Sequence, residues 1–251
     1  MYKANVGADF IFPTTTDFSQ YKLLVVPSLY VSDDALLKRI SDYVHDGGHV
    51  LMTFKSGFTN ENSAVRWEKA PGPLQQAAGF TYQEFSSLEK PLALSGDPFK
   101  VGDENRVSLW AEFLQVTTAK PLATYDHPFF GRWPAITENQ YGKGTLIYEG
   151  SGLSDGLQQA VMQHALQTSG IPFDPEAFHS AVRVKLGVNA LGKTLTYLLN
   201  YSSSTAEVKY AGPEAVNVLT GKPVSAGQTV SIQPWDLVIT ESNSNAYGPS
   251  Q

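Results

Sequence analysis

The chain has 251 residues, of which 42% are hydrophobic and 17% charged, and its formal net charge is −6. This composition is typical of globular domains and excludes a disordered or fibrous chain. The acidic balance without a Lys/Arg cluster argues against a nucleic-acid partner. No apolar run reaches the roughly 18 residues of a membrane span. The absence of cysteine excludes disulfides, thiolate metal sites and a cysteine nucleophile.

The first half of the chain alternates strand and helix patterns. The continuous apolar run Tyr21–Pro27 predicts a strand buried on both faces. Ser32-Asp33-Asp34 supplies an N-cap and acidic first turn for an amphipathic helix, which Gly47-Gly48 ends. His49–Phe54 is the next buried strand. A strand–helix–strand unit of this kind predicts two parallel strands joined by a right-handed crossover.

The patterns become shorter after residue 55. A loop-rich segment precedes a short helix around Leu74–Ala78, and Phe113–Val116 reads as a short strand. Gly142-Lys143-Gly144 predicts a hairpin turn, since it lacks the frame and following helix of a phosphate loop. That turn joins strands at Trp133–Thr137 and Thr145–Tyr148, and Ser154-Asp155 begins a helix that runs to about Thr168.

After Pro175 the pattern changes to short strands separated by turn signals. It predicts a small antiparallel all-β domain. We therefore expect an α/β domain over residues 1–174, the β-domain over 175–243 and a frayed tail over 244–251. The predicted strands of the β-domain are Val182–Leu186, Thr194–Leu199, Ala206–Tyr210, Val230–Ile232 and Trp235–Thr240.

Few motifs indicate chemistry. None of the five histidines forms H-x-x-x-H or H-E-x-x-H, so no zinc-binding helix is indicated. Ser56-Gly57 resembles half of a nucleophile elbow but lacks the G-x-S-x-G spacing, which favours an ordinary turn over a serine hydrolase. Asn60-Glu61 resembles the acid/base dipeptide of many glycosidases. Retaining glycosidases need a second carboxylate about 5–5.5 Å away, and no residue is designated for that role, which favours a loop cap or interface contact.

Several motifs in order resemble the middle domain of family 42 β-galactosidases. The resemblance is dense through about residue 95 and looser to about residue 172. The tail, with Leu198–Tyr201 and Leu219–Gly221, is similar to the small C-terminal β-domain of that family. The motifs that carry the resemblance are Ala8–Pro13, Tyr21–Tyr30, Tyr43-Val44-x-x-Gly47-Gly48, Ser56–Asn62 and Pro71–Leu74.

The resemblance implies a flavodoxin-like, class I glutamine amidotransferase-like parallel sheet followed by the small β-domain. It implies a parent enzyme that hydrolyses terminal β-D-galactosides with two glutamates, both in a barrel domain that this sequence does not contain. No residue here matches either glutamate, so none is assigned a catalytic role and the chain alone is expected to be inactive. No metal or cofactor is implied. The implied partners are two further copies in a homotrimer and the barrel, with a galactoside reached only through the parent enzyme.

The first residues differ from the family pattern. In the family, a strand and most of a helix precede the strand at Asp9-Phe10-Ile11, whereas Met1 falls inside that helix. We therefore expect a C-terminal fragment that lacks the first strand of its sheet, which exposes unpaired backbone. The opening residues lack a signal-peptide pattern, and we expect a bacterial cytoplasmic protein; a signal peptide upstream of Met1 is the alternative.

Loop aromatics are the candidates for function. We expect these side chains, together with one loop carboxylate, to wall the substrate pocket of a neighbouring subunit or to form the subunit interface; ordinary packing is the alternative. Two other functions remain open: a stand-alone carbohydrate- or protein-binding module without hydrolase activity, and a hydrolase that uses Ser56. The candidate residues are Trp67, Phe129, Phe130, Trp133 and Glu61.

Overall fold

A computed structural model describes residues 1–175 and 180–243. The chain divides into two compact units, one formed by Phe12–Pro172 and the other by Met1–Ile11 with Phe173–Gln251. The tail expected to fray, residues 244–251, lies outside the described residues. Within those residues, no helix is long and apolar enough to cross a membrane.

The larger unit is a mixed α/β structure with few helices and several sheets. Its helices are α1 (Asp34–Asp46), α2 (Gln75–Ala78) and α3 (Asp155–Thr168), and its strands are β1 (Leu23–Val26), β2 (His49–Thr53), β3 (Phe80–Thr81), β4 (Phe85–Ala93), β5 (Arg106–Glu112), β6 (Gln115–Val116), β7 (Lys120–Thr124), β8 (Pro134–Tyr141), β9 (Gly144–Glu149) and β10 (Ser151–Leu153).

The main sheet of this unit has the strand order β1-β2-β9-β8-β7. Strands β1, β2 and β9 are parallel, which confirms the parallel pairing predicted for the first two. Strands β8 and β7 continue the sheet in antiparallel fashion. Strand β1 forms one edge of the sheet, and Val25 at its centre is exposed.

The long helices begin and end where their caps predict. The Asp33 carboxylate accepts a hydrogen bond from the Leu36 N–H (2.7 Å), and Gly47, with φ of 121°, ends α1. The Ser154 hydroxyl accepts from the Leu157 N–H (3.3 Å) at the start of α3. The apolar face of α3, which includes Val161, packs in one core cluster with β2 and β9.

The predicted hairpin at Gly142-Lys143 joins β8 to β9, with Tyr141 opposite Gly144. Gly142 has φ of 59°, and a Cβ at this position would lie 2.3 Å from the carbonyl oxygen of His45. Only glycine fits this close approach between the hairpin and the end of α1.

The larger unit also contains a second sheet, of order β10-β5-β4, which the sequence pattern did not predict. The strand expected at Phe113–Val116 is wrong in its first half. Phe113 and Leu114 lie between β5 and β6, and both are buried. These two residues are apolar because they pack in a buried connecting segment and not because they pair in a sheet. The periodicity of so short a run does not distinguish a buried connection from a strand.

The smaller unit is built of antiparallel strands, as predicted for residues 175–243. Its strands are β11 (Val182–Val188), β12 (Thr194–Asn200), β13 (Ala206–Lys209), β14 (Ala215–Asn217), β15 (Pro223–Val224), β16 (Thr229–Ile232) and β17 (Leu237–Ser242). The main sheet has the order β11-β12-β17-β14-β15, and β13 pairs with β16. Buried side chains that include Leu198, Tyr210 and Ile232 form the core of this unit.

The first eleven residues group with this β unit, whereas the sequence analysis assigned them to the α/β domain. The Asn5 side chain pairs with the backbone of β11: its Oδ1 accepts from the Val184 N–H (3.0 Å) and its Nδ2 donates to the Val182 carbonyl (3.4 Å). The strand expected at Asp9–Ile11 is not formed, and the Phe10 side chain is 98% exposed. Side-chain pairing of this kind leaves no periodic signal in the sequence.

Candidate functional site

The loop between β7 and β8 contains three of the predicted candidates. Phe129, Phe130 and Trp133 line a cleft of about 510 Å³ together with His127, Arg132 and Phe113. We call this segment, residues 126–133, the aromatic loop. It combines apolar rings with the His127 and Arg132 side chains, which are able to donate hydrogen bonds, and small-molecule sites commonly combine groups of these two kinds.

The aromatic loop is folded by one histidine and one glycine. The Nδ1 atom of His127 accepts hydrogen bonds from the backbone N–H groups of Phe129 (3.1 Å) and Phe130 (3.2 Å). The Gly131 N–H donates to the His127 carbonyl (2.8 Å), and a Cβ on Gly131 would lie 2.7 Å from that oxygen. Because Nδ1 is an acceptor, the proton of the neutral ring resides on Nε2, which is left as a donor.

The rings of the loop stack on one another and on a core residue. The Phe130 ring lies 4.0 Å from the His127 ring, and Phe113 stacks with Trp133 at 4.6 Å. The Arg132 guanidinium lies 4.0 Å from the centre of the Trp133 ring. Phe129 differs from these residues because its side chain is 76% exposed. The stacked rings therefore hold the loop in place while Phe129 is presented to solvent.

This arrangement suits a hydroxyl-rich ring ligand. A flat aromatic face packs against the C–H face of a pyranose, and the His127 Nε2–H and the Arg132 guanidinium supply donors for hydroxyl oxygens. A second cleft, of about 430 Å³, has one aromatic side chain, Tyr141, among amides and hydroxyls. Its buried amide, Asn139, is already hydrogen-bonded to Thr118 and to backbone carbonyls of α2.

The other two predicted candidates lie on a different loop. Trp67 and Glu61 follow β2, and neither lines the cleft of the aromatic loop. The Asn60 side chain organises this second loop by accepting from the Asn62 and Ala64 N–H groups, both at 3.0 Å. The Trp67 side chain is 90% exposed. Glu61 is exposed and accepts a hydrogen bond from Asn62 Nδ2 (3.3 Å).

The turn after β2 is structural, as the sequence favoured. Ser56 is fully buried, and its hydroxyl donates to the Thr53 carbonyl (2.7 Å) and accepts from the Leu29 N–H (3.1 Å). A hydroxyl occupied in this way is not presented to a substrate. Lys55, in the same turn, has φ of 62°, and its ammonium lies 3.9 Å from the centre of the Trp110 ring.

Sequence reasoning missed a buried carboxylate beside this turn. Glu112 is fully buried at the end of β5. One oxygen, Oε1, accepts from the Lys55 N–H (2.7 Å), the Tyr82 hydroxyl (2.8 Å) and Trp110 Nε1 (3.3 Å), and Oε2 accepts from the Tyr148 hydroxyl (2.8 Å). Burial raises the pKa of Glu112 to about 7, although these hydrogen bonds act in the opposite direction.

A second buried carboxylate, Glu149, lies at the end of β9 and is less well satisfied. Its Oε1 accepts from Gln158 Nε2 (2.7 Å), and burial raises its pKa to about 7. The only sequence signal is an acid within an apolar run for Glu112 and an acid at the end of an apolar run for Glu149. Across residues 1–175 and 180–243, no group of three metal-ligating side chains is arranged to hold a metal ion.

Comparison with known proteins places the chain in a family. The model of the beta-galactosidase trimerisation domain matches residues 1–172. Beta-galactosidase LacA of Lactobacillus acidophilus is 32% identical over 244 residues, which are 95% of this chain and 34% of that protein. Beta-galactosidase BgaB of a Geobacillus species is 32% identical over 151 residues, which are 60% of this chain and 22% of that protein.

Solved structures show the same fold. The beta-galactosidase of Bacillus circulans sp. alkalophilus has a TM-score of 0.82 at 23% identity, over 96% of this chain and 35% of that one. Gan42B, a GH42 beta-galactosidase from G. stearothermophilus, has a TM-score of 0.83 at 21% identity, over 96% and 34% of the two chains. This chain thus spans about a third of the length of these relatives, and it belongs to the family of the beta-galactosidase trimerisation domain.

Proposed function

We propose that this chain is the non-catalytic assembly portion of a bacterial, cytoplasmic β-galactosidase whose barrel domain hydrolyses terminal β-D-galactosides with two carboxylates. The observation that carries the proposal is the match of the trimerisation-domain model over residues 1–172. In this function the chain associates with two further copies and with the barrel. It supplies no catalytic residue of its own.

The finer fold assignment belongs to the same proposal. We assign the larger unit to the flavodoxin-like sheets related to class I glutamine amidotransferases. The parallel strands β1, β2 and β9, with α1 connecting the first two, support this assignment. So does the tight turn directly after β2, where Lys55 has a positive φ. The chain has no cysteine, so the thiol chemistry of those relatives has no counterpart here.

The aromatic loop is proposed as the part that reaches substrate. In the assembled enzyme it walls the galactoside pocket of a neighbouring subunit, with Phe129 as the exposed ring and His127 and Arg132 as donors. The exposure of Phe129 beside a fixed stack of rings supports this role. Trp67 and Glu61 are assigned to the subunit interface, because they lie on a separate loop and are exposed.

A chimeric enzyme tests the proposed function. This chain replaces the matching third of Beta-galactosidase LacA, to which it is 32% identical. We expect the chimera to hydrolyse a chromogenic β-galactoside, whereas the same protein with that third deleted is inactive. In the chimera, Phe129→Ala should raise KM several-fold with a smaller change in kcat, because the ring contacts bound sugar outside the reacting centre. An unchanged KM contradicts the pocket-wall role.

The isolated chain provides a second test. It should show no turnover of a β-galactoside, because the paired glutamates are absent. Turnover that Glu61→Gln abolishes would restore Asn60-Glu61 as an acid/base site and contradict the proposal. Labelling of Ser56 by a fluorophosphonate probe would support the serine-hydrolase alternative instead.

The second candidate function is a stand-alone carbohydrate- or protein-binding module. The cleft of the aromatic loop favours it, since it lies within one unit and offers rings and donors without a second subunit. An inactive chimera, together with galactose binding by the isolated chain that Phe129→Ala abolishes, would favour this reading over assembly.

A further inference from the structure

An exposed tryptophan in the β unit occupies a backbone conformation that rarely accepts it. The Asp236 N–H donates to the Gln233 carbonyl (3.2 Å), which closes a turn with Pro234 and Trp235 at its centre. Trp235 has φ of 56°. Proline followed by a positive φ is the pattern of a type II turn, whose third position favours Gly or Asn because a Cβ is strained there. The Trp235 side chain is 70% exposed, so burial in this chain does not offset the strain.

The turn is tied to a second loop by a buried amide. Asn200 is buried, its Nδ2 lies 3.0 Å from the Gln233 carbonyl, and its Oδ1 accepts from the Ser202 N–H (3.1 Å) and hydroxyl (2.8 Å). The Trp235 N–H also donates to the Ser202 carbonyl (3.2 Å). These bonds fix the loop after β12 beside the turn before β17. Asn200 is therefore a structural anchor whose side-chain amide lies inside the protein.

Two aromatic side chains emerge from these adjacent loops. Tyr201, directly after Asn200, is 55% exposed, and the backbone hydrogen bond between Trp235 and Ser202 joins its loop to the loop of Trp235. Ser203, Gln233 and Asp236, which lie within two residues of Tyr201 or Trp235, are exposed and polar, and Pro234 is exposed as well. Two fixed loops thus each expose one aromatic ring, bordered along the chain by hydroxyl, amide and carboxylate groups that we call the polar rim. A strained backbone conformation that burial does not offset is typical of functional positions, which favours a binding role for Trp235.

The size and polarity of the surface identify the kind of ligand. Two aromatic side chains bury about 150–250 Å² each, which is well below the roughly 800 Å² per partner of a stable protein interface. A pyranose presents a C–H face for the rings and hydroxyls for the polar rim. We propose that Tyr201 and Trp235 form a saccharide-binding platform, distinct from the aromatic loop, that holds a pyranose-containing chain without cleaving it.

Affinity electrophoresis of the full 251-residue chain in gels containing soluble β-1,4-galactan or mixed-linkage β-glucan tests the platform. We expect at least one polysaccharide to retard the wild type. Trp235→Gly and Tyr201→Ala should each weaken the retardation about tenfold or more. Phe10→Ala, which removes an exposed aromatic side chain from the same unit, is the matched control and should leave the retardation unchanged.

Trp235→Gly separates binding from folding. Because glycine is preferred at a positive φ, this variant should unfold at the same temperature as the wild type or higher while it loses the polysaccharide. Should it unfold earlier, Tyr201→Ala decides the question alone. Equal retardation of wild type and both variants, or no retardation of the wild type by either polysaccharide, overturns the proposal. A lower molar mass of Trp235→Gly in light scattering, with binding unchanged, would assign the surface to self-association and also overturn it.

Discussion

The surroundings of Glu112 and the aromatic loop use similar residues for opposite purposes. Around Glu112 the aromatic side chains Tyr82 and Tyr148 are buried, and their hydroxyls donate to the carboxylate. In the aromatic loop the rings stack on one another, and Phe129 extends into solvent. Where every polar group has an internal partner, the arrangement stabilises the fold, whereas rings and donors that face solvent remain available to a ligand.

The largest effect should come from removing the Glu112 carboxylate. Glu112→Ala leaves four donors without their acceptor: the Lys55 N–H, the Tyr82 and Tyr148 hydroxyls and Trp110 Nε1. We expect the free energy of unfolding to fall by about 3–5 kcal/mol. Glu112→Gln should cost less, because the amide oxygen still accepts. Urea unfolding measures both, with the exposed Glu61→Ala as control, expected within about 0.5 kcal/mol. A fall in unfolding free energy below about 1 kcal/mol for Glu112→Ala would contradict the view that this network, unlike the aromatic loop, stabilises the fold.

The two buried carboxylates should also make stability depend on pH. Burial raises the folded-state pKa of Glu112 and of Glu149 to about 7, from 4.5 for an exposed glutamate. Between these values the folded state holds protons that the unfolded state has released, so stability falls as pH rises from about 4.5 to about 7. The stabilising contribution is complete below 4.5 and lost above 7.

Glu149→Gln isolates this dependence. The lowered pKa of His49, caused by burial, acts in the opposite direction in part of the same range, so the wild-type value alone is a sum of effects. The difference in unfolding free energy between wild type and Glu149→Gln should shift against the wild type by about 2–3 kcal/mol as pH rises from 4.5 to 8. A difference that is constant with pH would show that burial does not raise the pKa of Glu149 in the folded state.

Within the aromatic loop, two substitutions should lower the stability of the fold by very different amounts. Trp133→Ala removes a ring that packs against Phe113 and Arg132, and we expect a loss of about 2–3 kcal/mol in unfolding free energy. Phe129→Ala removes an exposed ring and should change stability by less than about 0.5 kcal/mol. Thermal melting of the two variants side by side checks this. Equal losses would mean that Phe129 is packed and is not presented to a ligand.

The sequence predicted those features that depend on neighbouring residues. The caps at Asp33 and Ser154 and the Gly142-Lys143 hairpin are local, and each was found as expected. The network of Glu112 was not predictable, because its partners come from turns and strands 30 to 57 residues away as well as from the adjacent Trp110. A carboxylate inside an apolar segment signals burial but not its donors.

For the candidate site, too, the sequence predicted some of the residues but not their arrangement. Aromatic loop residues are visible in the sequence, and Phe129, Phe130 and Trp133 do lie together. The sequence gives no indication that His127 folds the loop through its Nδ1 atom, that Phe113 supports it from the core, or that Trp67 and Glu61 lie elsewhere. These features depend on which segments the fold brings together.

For Trp67→Ala we expect a change in stability as small as that for Phe129→Ala. Its side chain is 90% exposed, so the unfolding free energy should stay within about 0.5 kcal/mol of wild type. A Trp67→Ala variant that assembles less well but unfolds at the same free energy would identify Trp67 as an interface residue and not as a packed residue of the fold. Denaturant unfolding at low protein concentration measures the first quantity, and a loss above about 1 kcal/mol would contradict the interface assignment.

The molar mass of the chain in solution tests the central claim most directly. Light scattering coupled to size exclusion, across a concentration series of the wild type, should give a species of about three times the 27.3 kDa chain mass. Trp67→Ala should shift this species toward lower mass at the same concentrations. A wild-type mass of 27.3 kDa at every concentration, with a cooperative thermal transition, would contradict the claim that this chain assembles the enzyme.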